Sequence, residues 1–591
     1  MRAALLSFLL VWLLPATASA DHAIGIAMHG TPKYAAGFDH LDYVNGDAPK
    51  GGELRISRTG TFDNLNNHIV FGNNAEGLDY ISDKLMERAW DEPFTLYGRV
   101  AESVDVAPDR SWITFHLRKA ARFHDGVPMT AEDVKYSFDL FRAHGFPVRR
   151  RVYGLVNRVE IKDPHTITFH FGPGYDQECV MILALMHVLP KHYWEKQDFS
   201  KTTLKPPLGS GPYKIGEVDP GRKLVFERVK DYWGKDLPIN KGQYNFDRIT
   251  YIYFRNDDAA LQAFASGYYN YRREFDMSKW QTRFDFSTIA GSKVVKEEIP
   301  HQRPEMLKAL VFNLRRPIFA DRRVREALSD MFNGDWVNKA LYFGRQKRTS
   351  SIYANSELAA RGKPAGEELR ILTQYKDDLP PEVLGDAWQP ARGDPRKNKR
   401  KAIELLKAAG WVYKYEKLVN AKGEAFEFEI LLGDPSEEKI ALEFAHGLSS
   451  IGIAARVHTV DSAQFVRRLD DYDYDMVSYR WISTLSPGNE QVNFWGKKSA
   501  ETKGARNYAG ISNAAVDALA DSIGRSMDRE TLIARCRALD RALMWGYYMI
   551  PLFYLGKDLV AYTADIHRPS VTPPYGMVLE SWWYQAGDKA P

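Results

Sequence analysis

Apolar and polar positions alternate with a two-residue period in several stretches of the chain. Residues 53–57 alternate directly after Gly51-Gly52 and read as a strand, as do residues 113–118. From Thr130 the period lengthens. Val134, Phe138 and Phe141 share one helical face, and Thr130-Ala131-Glu132-Asp133 is a capping-box start. Residues 249–254, 258–265 and 268–271 predict strand, helix and strand. Between 426 and 460 the pattern is clearer. Phe426, Phe428, Ile430 and Leu432 alternate, a helical segment covers about 437–449, and 453–460 is a second strand. That spacing is a βαβ crossover, which makes its strands parallel. Asp321 caps a helix whose inner face carries Val324, Ala327, Leu328, Met331 and Phe332. Residues 398–409 predict a helix with Leu405 and Leu406 inward, stopped by Gly410. The most linker-like segment is 354–399, polar and interrupted by Pro364, Pro380, Pro381, Pro390 and Pro395. It ends in a basic run over 396–401, read as a solvated helix start. Strands and helices alternating in this way predict an α/β protein.

The first twenty residues read as an address. Arg2 precedes an apolar run from Leu5 to Leu14, Pro15 breaks it, and Ala18-Ser19-Ala20 is a small-residue cleavage site. The run is shorter than the ~20 residues a bilayer requires. No cysteine follows it, which excludes a lipoprotein. A signal peptide over 1–20 and a mature, soluble, periplasmic chain starting at Asp21 are expected. No later stretch approaches a membrane span; 180–190 is interrupted by His187. A formal charge of +4 over 591 residues gives no concentrated basic footprint, so no nucleic-acid partner is expected. Cys179 and Cys536 are too few for a disulfide scaffold or a cysteine-built zinc site, and leave a single bridge open.

Motifs for catalysis and cofactors are absent. Residues 216–223 have the glycine spacing of a phosphate loop, but Arg222 stands where the lysine belongs. There is no G-x-G-x-x-G after a strand, no H-E-x-x-H and no G-x-S-x-G elbow. The 15 histidines are scattered, and His165 and His170 would face opposite sides of a strand. No cofactor, metal site or catalytic residue is assigned. Large α/β units rich in aromatics (14 Trp, 31 Tyr, 30 Phe) suit a cleft that encloses a solute.

Four blocks carry a specific resemblance. Residues 101–126, AESVDVAPDRSWITFHLRKAARFHDG, followed by VPMTAEDVKYSF, resemble the signature of the family 5 extracellular solute-binding proteins of ABC importers. Gly209-Ser210-Gly211-Pro212-Tyr213 resembles that family's G-[ST]-G-P-Y turn. Residues 310–314 with 319–328 resemble its "FN…faD.rVReAl" block, and KAIELLKAAGW at 401–411 resembles "A..LL..AGw". The leader HGTPKYAAGFDHLDYVNGDAPKGG at 29–52 and the insert at 355–381 are similar to those of YejA-like receptors, which take up peptides and microcin C and have relatives implicated in muropeptide recovery.

The resemblance implies a two-lobed periplasmic binding protein of the Venus-flytrap, type II-like form, with an extra domain on lobe I. Lobe I would combine 21–75, 204–303 and 549–591, the extra domain would be 76–203, and lobe II would be 304–548. Crossings near Pro304 and Met549 would form the hinge. A monomeric receptor would close around a peptide and present it to two permease subunits with their cytoplasmic ATPase. Three segments of family-like position are candidate ligand contacts. Thr61, Asp63 and Asn64 lie in the polar loop after the opening strand. Asn313 ends a strand where the chain enters lobe II. Tyr479, Arg480, Trp481 and Ser483 form the third, where an indole can stack and a guanidinium can pair a carboxylate. The acid that short-peptide receptors carry just after the tryptophan is missing: no acid occurs between Trp481 and Glu490. Asp461, Asp63 or Glu490 would have to hold a ligand amino terminus instead. The alternatives are an exported hydrolase of peptides or glycans, and a nickel- or haem-binding receptor of the same fold.

Overall fold

A computed structural model describes residues 22–289 and 291–586. The expected signal peptide and the start at Asp21 lie outside them. The chain opens its first large sheet with β1 (Glu53–Thr59), whose Leu54 and Ile56 are buried as the alternation predicts. It returns with β2 (Arg248–Phe254), which pairs parallel to β1, then helix α1 (Asp257–Ala265), then β3 (Tyr271–Glu274), parallel to β1 on its other side. The strand expected over 268–271 begins only at Tyr271. Gly267 takes φ +78° and Tyr268 N–H donates back to Ala263, which turns the chain before it can pair. β4 (Ser292–Pro300) completes this passage.

The chain then crosses to a second sheet. β5 (Leu307–Phe312) is followed much later by β6 (Glu427–Leu432), helix α2 (Glu438–Ser449), β7 (Ala454–Thr459), helix α3 (Ser462–Asp470) and β8 (Met476–Trp481). β6 is parallel to both β7 and β8, so the βαβ unit read from the sequence is present. Helix α4 (Arg529–Trp545) and β9 (Met549–Pro551) follow, and the chain rejoins the first sheet as β10 (Lys557–Thr563). The first sheet has eight strands and includes the run β4-β10-β3-β1-β2; the second has five, ordered β7-β6-β8-β5-β9. The second sheet has helices on both faces, while the first carries helices on one face and loops with short turns on the other, giving a two-lobed α/β architecture.

A third unit packs beside the first sheet. Its four strands run Ala101–Val106, Trp112–Leu117, Thr166–Phe171 and Val156–Asp163 in spatial order. Helix Ala131–His144 lies on them, closed at its start by the Thr130–Asp133 capping box and burying Val134, Phe138 and Phe141. Ile26 and Met28 from the leading segment join this core.

Three sequence expectations change here. The segment 354–399 is no linker. It contains helix Gly366–Gln374, and Leu358, Ile371, Leu372, Leu379, Val383 and Trp388 are buried in the core of the second lobe. The basic run starts helix Pro395–Ala408 under an Asp394 cap, but Lys401 is not simply solvated: it pairs with Glu326 and Asp330, both at 2.8 Å. Cys179 and Cys536 are both free and buried in different cores, which closes the possibility of a bridge in this conformation.

Candidate functional site

The strand register fixes where the two lobes face each other. β4 and β10 are antiparallel with Glu298 opposite Leu559, and Leu559 is opposite Glu274 at the end of β3. The end of β4, from which the chain departs, therefore lies at the carboxyl ends of β3 and β1. In the other lobe Leu307, the first residue of β5, is opposite Trp481, the last of β8. The chain therefore arrives at the carboxyl ends of β8 and β6. The two crossing segments run side by side: Gly556 N–H donates to Glu305 Oε1 at 2.8 Å and Gly556 O accepts from His301 N–H at 3.3 Å. Beside them the buried Asp558 carboxylate holds Arg303 and Arg273, both at 2.6 Å.

Both sheets carry the same topological feature at these ends. In the second lobe β6 has a parallel partner on each side, reached by α2 over one face and α3 over the other. Residues of α2 pack with Phe428 and Ile430, while Leu469 of α3 packs with Leu431 and Val477. In the first lobe β1 stands between β2 and β3 in the same way. Strand order reverses between β6 and β8, and between β1 and β3. In open α/β sheets ligands bind outside the carboxyl ends of the strands at such switch points. Here two of them face each other across the crossing, which defines the candidate cleft.

The second-lobe wall is built from the ends of β6, β8 and β5. Alternation along β8 turns Tyr479 and Trp481 to one face and Arg480 to the other. Asp434 follows β6 and caps the turn before α2 by accepting from Ser436 N–H at 2.9 Å. Arg480 lies 3.4 Å from Asp434 and 3.6 Å from Glu437, while Lys308 pairs with Glu437 at 2.8 Å. Burial works against the Asp434 charge, but the bonds from Ser436 and the cations Lys308 and Arg480 hold its carboxyl below the usual range.

The sequence-predicted residues divide into two groups. Thr61 and Asp63 are exposed in the loop at the end of β1; Thr61 Oγ1 donates to Gly221 O at 3.2 Å and Asp63 accepts from Asn73 N–H at 2.6 Å. Ser483 follows β8, and its hydroxyl has no hydrogen-bond partner among the described residues. Thr61 and Asp63 thus lie exposed at the carboxyl end of β1, whereas the Ser483 hydroxyl is itself buried. Asn64 is fully buried: it donates to Asn66 O, Phe71 O and Asn74 Oδ1, and accepts from Asn66 and Thr203 N–H. Asn313 is likewise buried, donating to Tyr472 and Tyr474 carbonyls and accepting from Arg315. Both amides are consumed by their own chain.

Trp481 is only 3% exposed, with Tyr479 and Trp495 rings 5.0 and 4.9 Å away and its indole N–H donating to Arg506 O. It is a core residue under the wall rather than a stacking platform on it. Arg480 is half exposed but already faces two carboxylates. What the sequence reading missed is apolar. Ile482 (68% exposed), Met306 (48%) and Phe275 (79%) stand just beyond β8, before β5 and just beyond β3. Their signal was available: large apolar residues directly flanking strand ends that face a switch point.

A second contact between the lobes lies in the loop after β8. Leu485 N–H donates to the Tyr575 hydroxyl at 3.2 Å, and that hydroxyl donates to Pro93 O at 2.6 Å. Ser486 Oγ meets His29 Nδ1 at 3.2 Å, and Asn489 donates to Asp176 at 2.6 Å. Gly488 leaves room for two carboxylates, since a Cβ there would stand 3.1 Å from Glu178 Oε2 and 3.5 Å from Glu490 Oε2. Burial, then the negative charges of Glu490 and Asp176, push the Glu178 carboxyl up to about 7. Burial, then Arg529 and Arg110, bring the His29 imidazole down to about 4.

Comparison with known proteins agrees with this geometry. The family model of the bacterial extracellular solute-binding proteins, family 5 Middle, matches residues 95–503. Two relatives come from Agrobacterium fabrum. The probable peptide-binding protein YejA is 39% identical, covering 97% of this chain and 96% of its own. The peptidoglycan-binding protein YepA is 37% identical with the same two shares. The solved structure of the oligopeptide-binding protein AppA from Bacillus subtilis, in complex with a nonapeptide, shares the fold at TM-score 0.64 and 20% identity, over 91% of this chain and 100% of its own. With two facing switch-point crevices joined by paired crossings, and relatives that match it from end to end, the chain belongs to the family 5 bacterial extracellular solute-binding proteins and is YejA-like among them.

Proposed function

We propose that the chain is a non-enzymatic periplasmic receptor that captures peptides between its lobes and delivers them to an ABC importer of two permease subunits and a cytoplasmic ATPase. The observation that carries this reading is the make-up of the cleft walls. Ile482, Met306 and Phe275 offer exposed apolar surface, Thr61 offers a small exposed hydroxyl, and the charges of Arg480, Lys308, Asp434 and Glu437 are matched among themselves. Such a wall suits an extended, largely uncharged backbone with apolar side chains. The names of YejA and YepA and the nonapeptide in AppA support the same class. Peptides longer than two residues fit best, cell-wall peptides and peptide conjugates among them. A ligand acid gains less at Arg480 than the sequence implied, because that guanidinium already serves two carboxylates. The lobe division at 21–75, 204–303 and 549–591, with 76–203 as the extra domain and 304–548 as lobe II, belongs to this reading. So does closure by hinging at the crossings.

The test is to incubate purified protein with cell-wall tripeptides, longer peptides, free amino acids, nickel and haem together, and to identify what is retained by mass spectrometry. Intact peptides longer than two residues are expected. Retention of nickel or haem with peptides excluded would overturn the reading, and cleaved peptide would favour the hydrolase.

Closure should also carry a particular pH dependence. When the lobes part, Glu178 returns toward its ordinary 4.5 and His29 toward 6.5. Closing then takes up a proton at Glu178 below about pH 7 and releases one from His29 below about pH 6.5. The two effects oppose, so affinity in the native protein should be nearly flat between pH 6.5 and 4.5. Arg151 faces Glu178, and Asp528 faces His29 beside Arg529 and Arg110; neither reverses the sign. His29→Asn should leave affinity rising as pH falls, by up to about tenfold per unit. Glu178→Gln should leave it falling by a similar limit. Solvent screening makes both slopes upper bounds. Peptide titrations across pH check this, and parallel profiles for all three proteins would refute it.

A further inference from the structure

We propose that His22, Asp105 and His116 form a binding site for a divalent transition-metal ion, best matched to zinc, on the outer face of the four-stranded sheet of the extra domain. The three residues are far apart in the chain, which is why no sequence spacing announces them. Strand register brings them together. Ala23 forms an antiparallel bridge with Val104, and this places His22 directly opposite Asp105. Asp105 is paired with Thr114, which puts His116, two residues further along, on the same face in the diagonal position.

The donor atoms converge. His22 Nδ1 lies 2.8 Å from Asp105 Oδ1, and His116 Nε2 lies 2.7 Å from Asp105 Oδ2. All three residues offer a ligand atom within 4.8 Å of the others. A tetrahedral zinc ion with bonds of about 2.0–2.2 Å would need the nitrogens and one oxygen to spread only slightly. Two imidazoles and one carboxylate form a set that zinc accepts readily, and they leave a fourth position for water. The carboxylate is mostly sheltered while His22 is 62% exposed, so an ion can enter from solvent without opening a core.

The ion would replace the hydrogen bonds that the carboxylate now accepts from both rings. Each imidazole binds in its neutral form, with its proton on the other ring nitrogen. The consequence is mechanical. The leading segment meets the four-stranded sheet at the Ala23 bridge, then Gly25–Ala27 pair with residues 95–97, Ile26 and Met28 enter the core, and His29 reaches the lobe contact. A metal ion would add a further tie between that segment and the extra domain, at His22 beside the Ala23 bridge. The site is separate from the cleft and does not depend on what the cleft binds.

The experiment uses tag-free protein stripped with chelator and titrated calorimetrically with zinc chloride, with nickel and copper salts in parallel. One equivalent of zinc is expected to bind with micromolar or tighter affinity, and zinc should slow proteolysis within residues 22–28. His22→Ala alters an exposed side chain that supports no core, and should weaken zinc binding at least tenfold, as should His116→Ala. Absence of zinc binding at 100 µM would overturn the proposal. So would binding that both variants retain unchanged, which would leave the triad as a hydrogen-bonded cluster only.

Discussion

Trp481→Ala should lower stability far more than it lowers ligand affinity. The indole is 3% exposed and is surrounded by Tyr479, Trp495 and Tyr508 within one aromatic cluster. Removing it opens a cavity beside a gap lined by Leu307, Ile352, Tyr353, Phe494 and Trp495. Truncating a buried tryptophan typically costs about 3–5 kcal/mol. The second-lobe transition in scanning calorimetry should therefore fall by roughly 10 °C, using ~2–4 °C per kcal/mol for a unit of that size. The first-lobe transition should move little, because none of these contacts reaches it. Peptide affinity measured below both transitions should change only through disturbed neighbours such as Ile482 and Ser483. An unchanged transition together with a large loss of affinity would show that the ring lines the cleft after all.

That residue also shows how far the sequence could be read. Periodicity located β1, β2 and β3 of the first switch point and β6, α2 and β7 of the second, because it is a property of neighbouring residues, but it did not mark α3 or β8. The βαβ unit over 426–460 appears in the fold with parallel register, and Asp321, Asn398 and Gly410 sit near the helix ends expected of them. Whether a strand-end side chain points into the cleft or beneath it is not a local property. Tyr479 and Trp481 share a face with the core, and the exposed position is Ile482, one residue on. Asn64 and Asn313 were legible as polar residues at loop starts. Their role is settled by backbone groups up to 161 residues away, such as the Tyr474 carbonyl that Asn313 reaches. The triad of His22, Asp105 and His116 was hidden for the same reason.

The segment 354–399 failed in the opposite direction. Its prolines and charges are characteristic of a solvated linker, yet six of its large apolar residues are buried in one core. Short turns between them let Leu358, Ile371, Leu372, Leu379, Val383 and Trp388 reach one core without helical or strand periodicity. The polar backbone this buries must find partners, and helix α4 supplies them.

Arg541 is the largest of those partners, and Arg541→Met should release the segment. Its guanidinium is 1% exposed. It donates to Glu368 Oε1 at 2.5 Å, to Gly385 O at 3.0 Å, and to Arg361 and Gly362 carbonyls at 3.1 and 2.8 Å. Its neighbour Asp540 accepts from Ile352 and Ala360 N–H at 2.8 and 2.9 Å, and burial pushes that carboxyl up to about 6. Two adjacent residues of α4 thus hold the segment at several points along its length. Methionine fills much of the same volume but leaves the Glu368 carboxylate and the Gly385 and Arg361 carbonyls without the arginine donor, while Gly362 O keeps Ala387 N–H. Removing one partner of a buried ion pair typically costs about 3–5 kcal/mol, because the other charge stays in low dielectric. The double variant Arg541→Met with Glu368→Leu removes that stranded charge and should recover part of the loss. Limited proteolysis reads the local effect: cleavage within 354–399 should accelerate in the single variant and slow again in the double. A single variant with unchanged calorimetry and cleavage would mean that the six buried apolar residues hold the segment alone, and that the arginine contributes only register.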